Sequence, residues 1–66
     1  MTITLNGDKK NIDGVSTLSE LLKELNLSPE TVVVELNTKI IPPDTLAATP
    51  LVAGDTVEII RFVGGG

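Results

Sequence analysis

The sequence predicts an α+β domain in which one helix packs on a sheet of short strands, and three observations carry that expectation. Residues 1–6 alternate apolar and polar and run into Asn6-Gly7, a single stripe of leucines follows at helical spacing, and residues 56–63 form a β-rich closing segment. Only one stretch has the helical period, and one helix covers only one face of a sheet. The succession of hairpin, helix and shorter strands therefore points to α+β rather than to a doubly wound parallel sheet.

Met1, Ile3 and Leu5 alternate with Thr2, Thr4 and Asn6, the period of a strand with one buried face. Asn6-Gly7 supplies the two residues that tolerate positive φ in a tight hairpin turn. The polar residues 8–13 around Ile12 return as an edge strand, where Lys9 and Lys10 oppose pairing with other chains. Thr17-Leu18-Ser19-Glu20 fits a capping box, with the Thr hydroxyl and the Glu carboxylate each bonding the other's amide, so a helix begins at Leu18. Leu18, Leu21, Leu22 and Leu25 then line one stripe, opposite Glu20, Lys23 and Glu24. The helix is expected to end near Asn26, because Pro29 cannot continue it and Ser28 before it is pushed out of helical angles. Residues 31–36 are β-branched and read as a strand, Asn37-Thr38-Lys39 as its turn, and Ile40-Ile41 as a very short strand stopped by Pro42-Pro43. A helical turn is expected over residues 44–48 and a tight turn at Ala53-Gly54-Asp55. Residues 56–63 make the last strand.

Composition narrows what such a domain does. The 66 residues suffice for one small domain, and Ile, Leu and Val make up 22 of them, enough apolar side chain to bury a core. There is no Cys, His, Trp or Tyr, so the chain lacks a thiol nucleophile, an imidazole base and the commonest zinc ligands. Neither a metal site nor a self-contained active site is expected. Nine acidic residues against five basic leave a net charge of -4, a field that repels phosphate backbones and anionic membranes. No signal segment and no membrane-length apolar run is apparent, and without cysteines to oxidise the expected compartment is the cytoplasm.

Two features remain. Alternation sends Val57, Ile59 and Arg61 to one face of the last strand and Glu58, Ile60 and Phe62 to the other, so both faces carry large apolar groups. Either one face stays open as a protein contact surface, joined by an apolar residue from 31–36, or the loop over residues 42–51 closes it. Arg61 fits both a solvated strand position and a contact with a partner's acidic surface or nucleotide. The closing Gly64-Gly65-Gly66 fits a frayed end. It fits equally a thread without Cβ atoms that passes a narrow tunnel and presents the main-chain carboxylate of Gly66 to an activating enzyme. No phosphate-cradling glycine loop followed by Lys exists here, so that activation would come from elsewhere.

The opening strand, Asn6-Gly7, Thr17-Leu18-Ser19-Glu20-Leu21-Leu22, Val32-Val33-Val34-Glu35-Leu36-Asn37, Ile40-Ile41-Pro42 and the run from Ala53 through Val57, Ile60 and Val63 to Gly66 together resemble the ThiS family. The resemblance spans essentially the whole chain and rests on the order and spacing of motifs that are individually weak. It implies a ubiquitin-like β-grasp fold over residues 1–63, with a mixed sheet wrapped around the helix and the last strand central beside the first. Residues 64–66 would form a flexible tail.

The resemblance also implies a sulfur carrier of thiamin biosynthesis rather than an enzyme. A ubiquitin-activating-type adenylating enzyme (ThiF-like), using ATP and Mg, would join AMP to the carboxylate of Gly66. A sulfur donor protein would displace AMP, and thiazole synthase (ThiG-like) would take sulfur from the thiocarboxylate. The family's Gly-Gly pair falls on Gly65 and Gly66, with Gly64 an addition to the recognised tail. Ile60, Arg61, Phe62 and Val63 are the expected partner contacts, and neither nucleic acid nor membrane is expected as a partner. Two alternatives share the fold: a sulfur carrier serving molybdopterin, tRNA thiolation or cysteine synthesis, and a β-grasp binding module without covalent chemistry.

Overall fold

The computed structural model describes residues 1–62. Strand β1 (Thr2–Leu5) and strand β2 (Asp8–Asn11) form the expected hairpin, with Ile3 opposite Lys10 and Leu5 opposite Asp8. Asn6 and Gly7 both hold positive φ, 49° and 86°, as a turn matched to the right-handed strand twist requires.

Helix α1 (Leu18–Glu24) starts as its capping box predicts. The Glu20 amide donates to Thr17 Oγ1 at 3.2 Å, while the Glu20 carboxylate accepts from the Ser16 amide at 2.6 Å, the Ser16 hydroxyl at 2.9 Å and the Thr17 amide at 3.3 Å. These donors, those of Ser16 foremost, hold the Glu20 carboxyl below the usual carboxylate range. The other end is closed by Asn26 itself. Its φ of 58° lets its amide reach the Lys23 carbonyl at 3.1 Å and lets the Leu27 amide reach the Leu22 carbonyl at 2.9 Å. That pair of bonds is a Schellman cap, so the chain has already left the helix before Pro29 forbids it.

Thr31, expected to open a strand, instead ends a 3₁₀ turn over Pro29–Thr31, and strand β3 (Val32–Leu36) and strand β4 (Lys39–Ile41) follow. The β3–β4 turn has two residues, Asn37 and Thr38, and Lys39 belongs to the strand as the partner of Leu36. Residues Pro43–Ala48 coil as a 3₁₀ helix, and strand β5 (Thr56–Arg61) closes the described fold.

The five strands lie in the order β2-β1-β5-β3-β4. β5 is central, parallel to β1 and antiparallel to β3, and the helix lies on one side: this is the mixed-sheet β-grasp arrangement. Ile3, Val32, Val34, Val57 and Ile59 from the sheet meet Leu18, Leu21 and Leu22 from the helix, and Ile12, Val15, Leu46 and Leu51 fill the ends of this core. Among the described residues no polar or charged one is buried. The stability of so small a domain therefore rests on apolar burial, at about 1.5–3 kcal/mol for each fully buried large side chain.

Candidate functional site

β5 separates the two chemistries of the sheet by alternation. Val57 and Ile59 point into the core, whereas Ile60 is 52% and Phe62 58% exposed on the opposite side. Apart from Pro42 and Pro43, which border a cleft with Phe62, the loop over residues 42–51 does not close that side. Leu46 and Leu51 are buried in the core, the Leu18 amide donates to the Thr49 carbonyl at 3.1 Å, and the Leu51 amide donates to the Ser16 carbonyl at 2.9 Å. The loop is thus tied to the helix side, and the Ile60 face of the sheet is open.

Register decides which side chains share that face. Ile60 is opposite Val33, Glu58 is opposite Glu35, and Glu35 is in turn opposite Ile40 on the edge strand. Ile40 is 67% exposed. The Phe62 amide donates to the Thr31 carbonyl at 3.0 Å, which carries the β5–β3 pairing one step past the strand. Phe62 thereby borders an apolar cleft of about 180 Å³ with Pro29, Val33, Ile40, Pro42 and Pro43, at whose base lie the core residues Val32, Val34 and Leu46. Ile60 and Phe62, two of the expected contact residues, are brought together; Arg61 is exposed too, but alternation points it to the helix side of the sheet. Val63, Gly64, Gly65 and Gly66 lie outside the described residues.

Sequence reasoning missed Ile40 and the Glu35–Glu58 pairing. Counting Lys39 into the turn hid the register. A two-residue turn at Asn37-Thr38 sets Leu36 against Lys39 and so Glu35 against Ile40, and the positive-φ tolerance of Asn37 was the signal for it. Among the described residues, no group of three or more potential metal-ligating side chains occurs, and no helix is long and apolar enough to cross a membrane.

The sequence model of the ThiS family matches residues 3–66 of this chain. The chain belongs to the ThiS family. Among its relatives, the sulfur carrier protein ThiS of Bacillus subtilis is 37% identical over 65 residues, covering 97% of this chain and 98% of that protein. A crystal structure of a thiamine biosynthesis protein (ThiS) from Geobacter metallireducens superimposes with a TM-score of 0.84 at 39% identity, over 100% of both chains. That likeness agrees with the β-grasp arrangement of this ThiS-family sheet. The chain is also similar along its whole length to two thiazole synthases, at 36% identity in Paramagnetospirillum magneticum and 39% in Magnetococcus marinus. It spans 20% of the length of each of them.

Proposed function

We propose that this ThiS-family chain is a sulfur carrier of thiamin biosynthesis that bears its sulfur as a thiocarboxylate on Gly66. The observation that carries the reading is the family match, which spans residues 3–66 and so takes in the closing Gly64-Gly65-Gly66. The residue inventory supports it, because a carrier needs no nucleophile or base of its own, and this chain has neither His nor Cys.

The chemistry then belongs to the main chain. A carboxylate is a poor acyl donor, so its oxygen first attacks the α-phosphate of ATP in an adenylating enzyme, forming an acyl-adenylate and releasing pyrophosphate. The outer sulfur of a donor protein's persulfide attacks the acyl carbon and AMP leaves with its oxygen; a thiol then cleaves the resulting acyl disulfide, forming a disulfide with the donor's sulfur and releasing the thiocarboxylate. The product differs from the starting carboxylate by one sulfur in place of one oxygen. Glycines at 64 and 65 suit the step sterically, since an extended chain without Cβ atoms enters a narrow channel and leaves the carbonyl uncrowded. The protein itself is a co-substrate, and ATP and Mg act in the partner.

The likeness to segments of two thiazole synthases supports thiazole synthase as the consumer of that sulfur, and favours the thiamin pathway over other sulfur-carrier pathways. The test is the intact mass of the protein after incubation with ATP, Mg, a sulfur source and the adenylating enzyme. A gain of one sulfur minus one oxygen on the C-terminal peptide is expected. An unchanged mass beside an enzyme that is active on its own carrier overturns the proposal.

A further inference from the structure

The turn between β1 and β2 carries a reactive dipeptide that the fold holds in check. Asn6 is followed by Gly7, whereas the other asparagines, Asn11, Asn26 and Asn37, precede Ile12, Leu27 and Thr38. A main-chain amide nitrogen attacks the side-chain amide carbon of the asparagine before it, and only at Gly7 is that nitrogen uncrowded by a Cβ. Asn6 and Gly7 are both exposed, so water reaches them. The folded geometry nevertheless keeps nitrogen and carbon apart in two ways. The first is the main chain. Two turn residues between Leu5 and its partner Asp8, both with positive φ, make a type I′ turn, whose first residue has a ψ of about 30°. Closing a five-membered ring needs Cβ eclipsed with the Gly7 nitrogen, which the tetrahedral Cα sets at a ψ of about −120°, roughly 150° away. The second is the side chain. The Asn6 amide donates to the Val57 carbonyl at 2.9 Å, and the Ile59 amide donates to Asn6 Oδ1 at 2.8 Å. The side-chain carbonyl thus continues the parallel β1–β5 ladder where the main chain has turned away. Rotating Cγ toward Gly7 breaks this part-buried bond to the central strand.

We propose that Asn6-Gly7 is a deamidation site masked by the folded hairpin and modified when the hairpin opens, and that its isoaspartyl product cannot rebuild the turn. The Gly7 nitrogen gives up its proton to water and bonds to Asn6 Cγ, and the Cγ–Nδ2 bond breaks with release of ammonia. Water then opens the cyclic imide at one of its two carbonyls. Attack at Cγ leaves an aspartate on an unaltered main chain. Attack at the main-chain carbonyl leaves the peptide running through Cβ and Cγ, with the free carboxylate directly on Cα. The two products behave differently on refolding. Aspartate tolerates the φ of 49° and still offers an oxygen to the Ile59 amide. The isoaspartyl link adds a main-chain carbon to a turn whose two-residue count sets Ile3 against Lys10 and Leu5 against Asp8. It also draws the carboxylate back from Ile59 by one carbon. Chains that have opened are therefore marked covalently, and the mark, an α-carboxylate on an open turn, is the substrate chemistry of an isoaspartyl carboxyl methyltransferase.

The experiment ages the whole chain at mildly alkaline pH, folded in sodium chloride and unfolded in guanidinium chloride of equal ionic strength. The N-terminal tryptic peptide, residues 1–9, contains Asn6 and no other asparagine. It is followed by mass for the exchange of NH2 for OH, and by enzymatic carboxyl methylation for isoaspartate. The unfolded parent is expected to lose the Asn6 amide at least about tenfold faster than the folded parent, a ratio equivalent to roughly 1.4 kcal/mol of opening free energy. Asn11, Asn26 and Asn37 keep their amides over the same period. Gly7→Ala in guanidinium removes the advantage of Asn6, because the added Cβ crowds the attacking nitrogen in a state where no fold is at stake. In native buffer N6D melts near the parent, whereas the isoaspartyl fraction isolated from the unfolded sample does not recover the parent transition. Equal rates in the folded and unfolded chain overturn the masking. A G7A chain that deamidates as fast as the parent overturns the route through the Gly7 nitrogen, and an isoaspartyl chain with parent-like melting overturns the block on refolding.

Discussion

Asn37 holds Thr56 at both polar groups of its backbone. The Asn37 amide donates to the Thr56 carbonyl at 2.8 Å, and the Thr56 amide donates to Asn37 Oδ1 at 2.9 Å. Its Nδ2 also donates to Asp55 Oδ1 at 3.0 Å, so one turn residue fixes where the central strand begins. Asn6 does the same from the other side, where its Oδ1 accepts from the Ile59 amide at 2.8 Å. Replacing Asn37 by Gly keeps its φ of 51° and removes only the side-chain bonds, at about 1 kcal/mol. Asn37→Ala adds the left-handed strain of a Cβ, roughly 1 kcal/mol more. Urea unfolding should rank the variants parent, Gly, Ala.

Thr38 has φ 76°, a region that a β-branched residue enters only under strain. Glycine there relieves about 1–2 kcal/mol and gives back part of it as unfolded-state entropy. Thr38→Gly is therefore expected to stabilise the protein by about 0.5–1 kcal/mol net, a rise of several degrees in Tm. A lower melting point would show that the threonine side chain supports the turn in a way its exposure does not suggest.

Leu22 is 1% exposed and sits between helix and sheet. Leu22→Ala should cost about 2–5 kcal/mol, a large share of the roughly 5–15 kcal/mol available to a small domain. Leu25, only partly buried at the helix end, should cost less when truncated. Equal losses at the two positions in denaturant titrations would contradict the burial order.

Glu20 links stability to pH. Its carboxyl is held below the usual range when folded, so its stabilising effect is complete above the ordinary glutamate value of about 4.3 and fades as pH falls through the lower folded value. Glu20→Gln keeps an acceptor oxygen but no charge. The difference in melting temperature between parent and variant should be greatest near neutral pH and shrink on acidification below about pH 4. A constant difference across that window would remove Glu20 from the acid response.

Deleting Gly66, or adding one Ser after it, should leave stability within about 0.5 kcal/mol, because neither change alters a side chain of the buried apolar core. Both should stop the sulfur increment in the intact mass. Deletion shortens the reach, and Ser moves the carboxylate from attack geometry, where about 1 Å of misplacement can cost a hundredfold in rate. A Ser-extended chain that gains sulfur as fast as the parent would refute the role given to Gly66.

Much of the fold was legible because its signals are local. The capping box at Thr17 and Glu20, the leucine stripe and the Asn6-Gly7 turn each act within a few residues, where steric preference and hydrogen-bond reach suffice to choose a conformation. The helix end was placed correctly for an incomplete reason, since proline was visible whereas the positive φ of Asn26 is a backbone state that its identity only permits.

Local sequence signals were enough to read the α+β class, the core stripe, the two-faced last strand and the Gly64-Gly65-Gly66 ending with its family resemblance. Alternation divides β5 into two apolar faces, but it cannot say which one a helix more than 30 residues away will cover. Nor can it set Glu35 against Glu58, or Ile40 beside Glu35, because a shift of one residue in strand register sends every side chain to the other face. Only tertiary packing decided these. Burying Val57 and Ile59 against Leu21 and Leu22 left Ile60 and Phe62 exposed, and the two-residue turn at Asn37-Thr38 then brought Ile40 onto the same face.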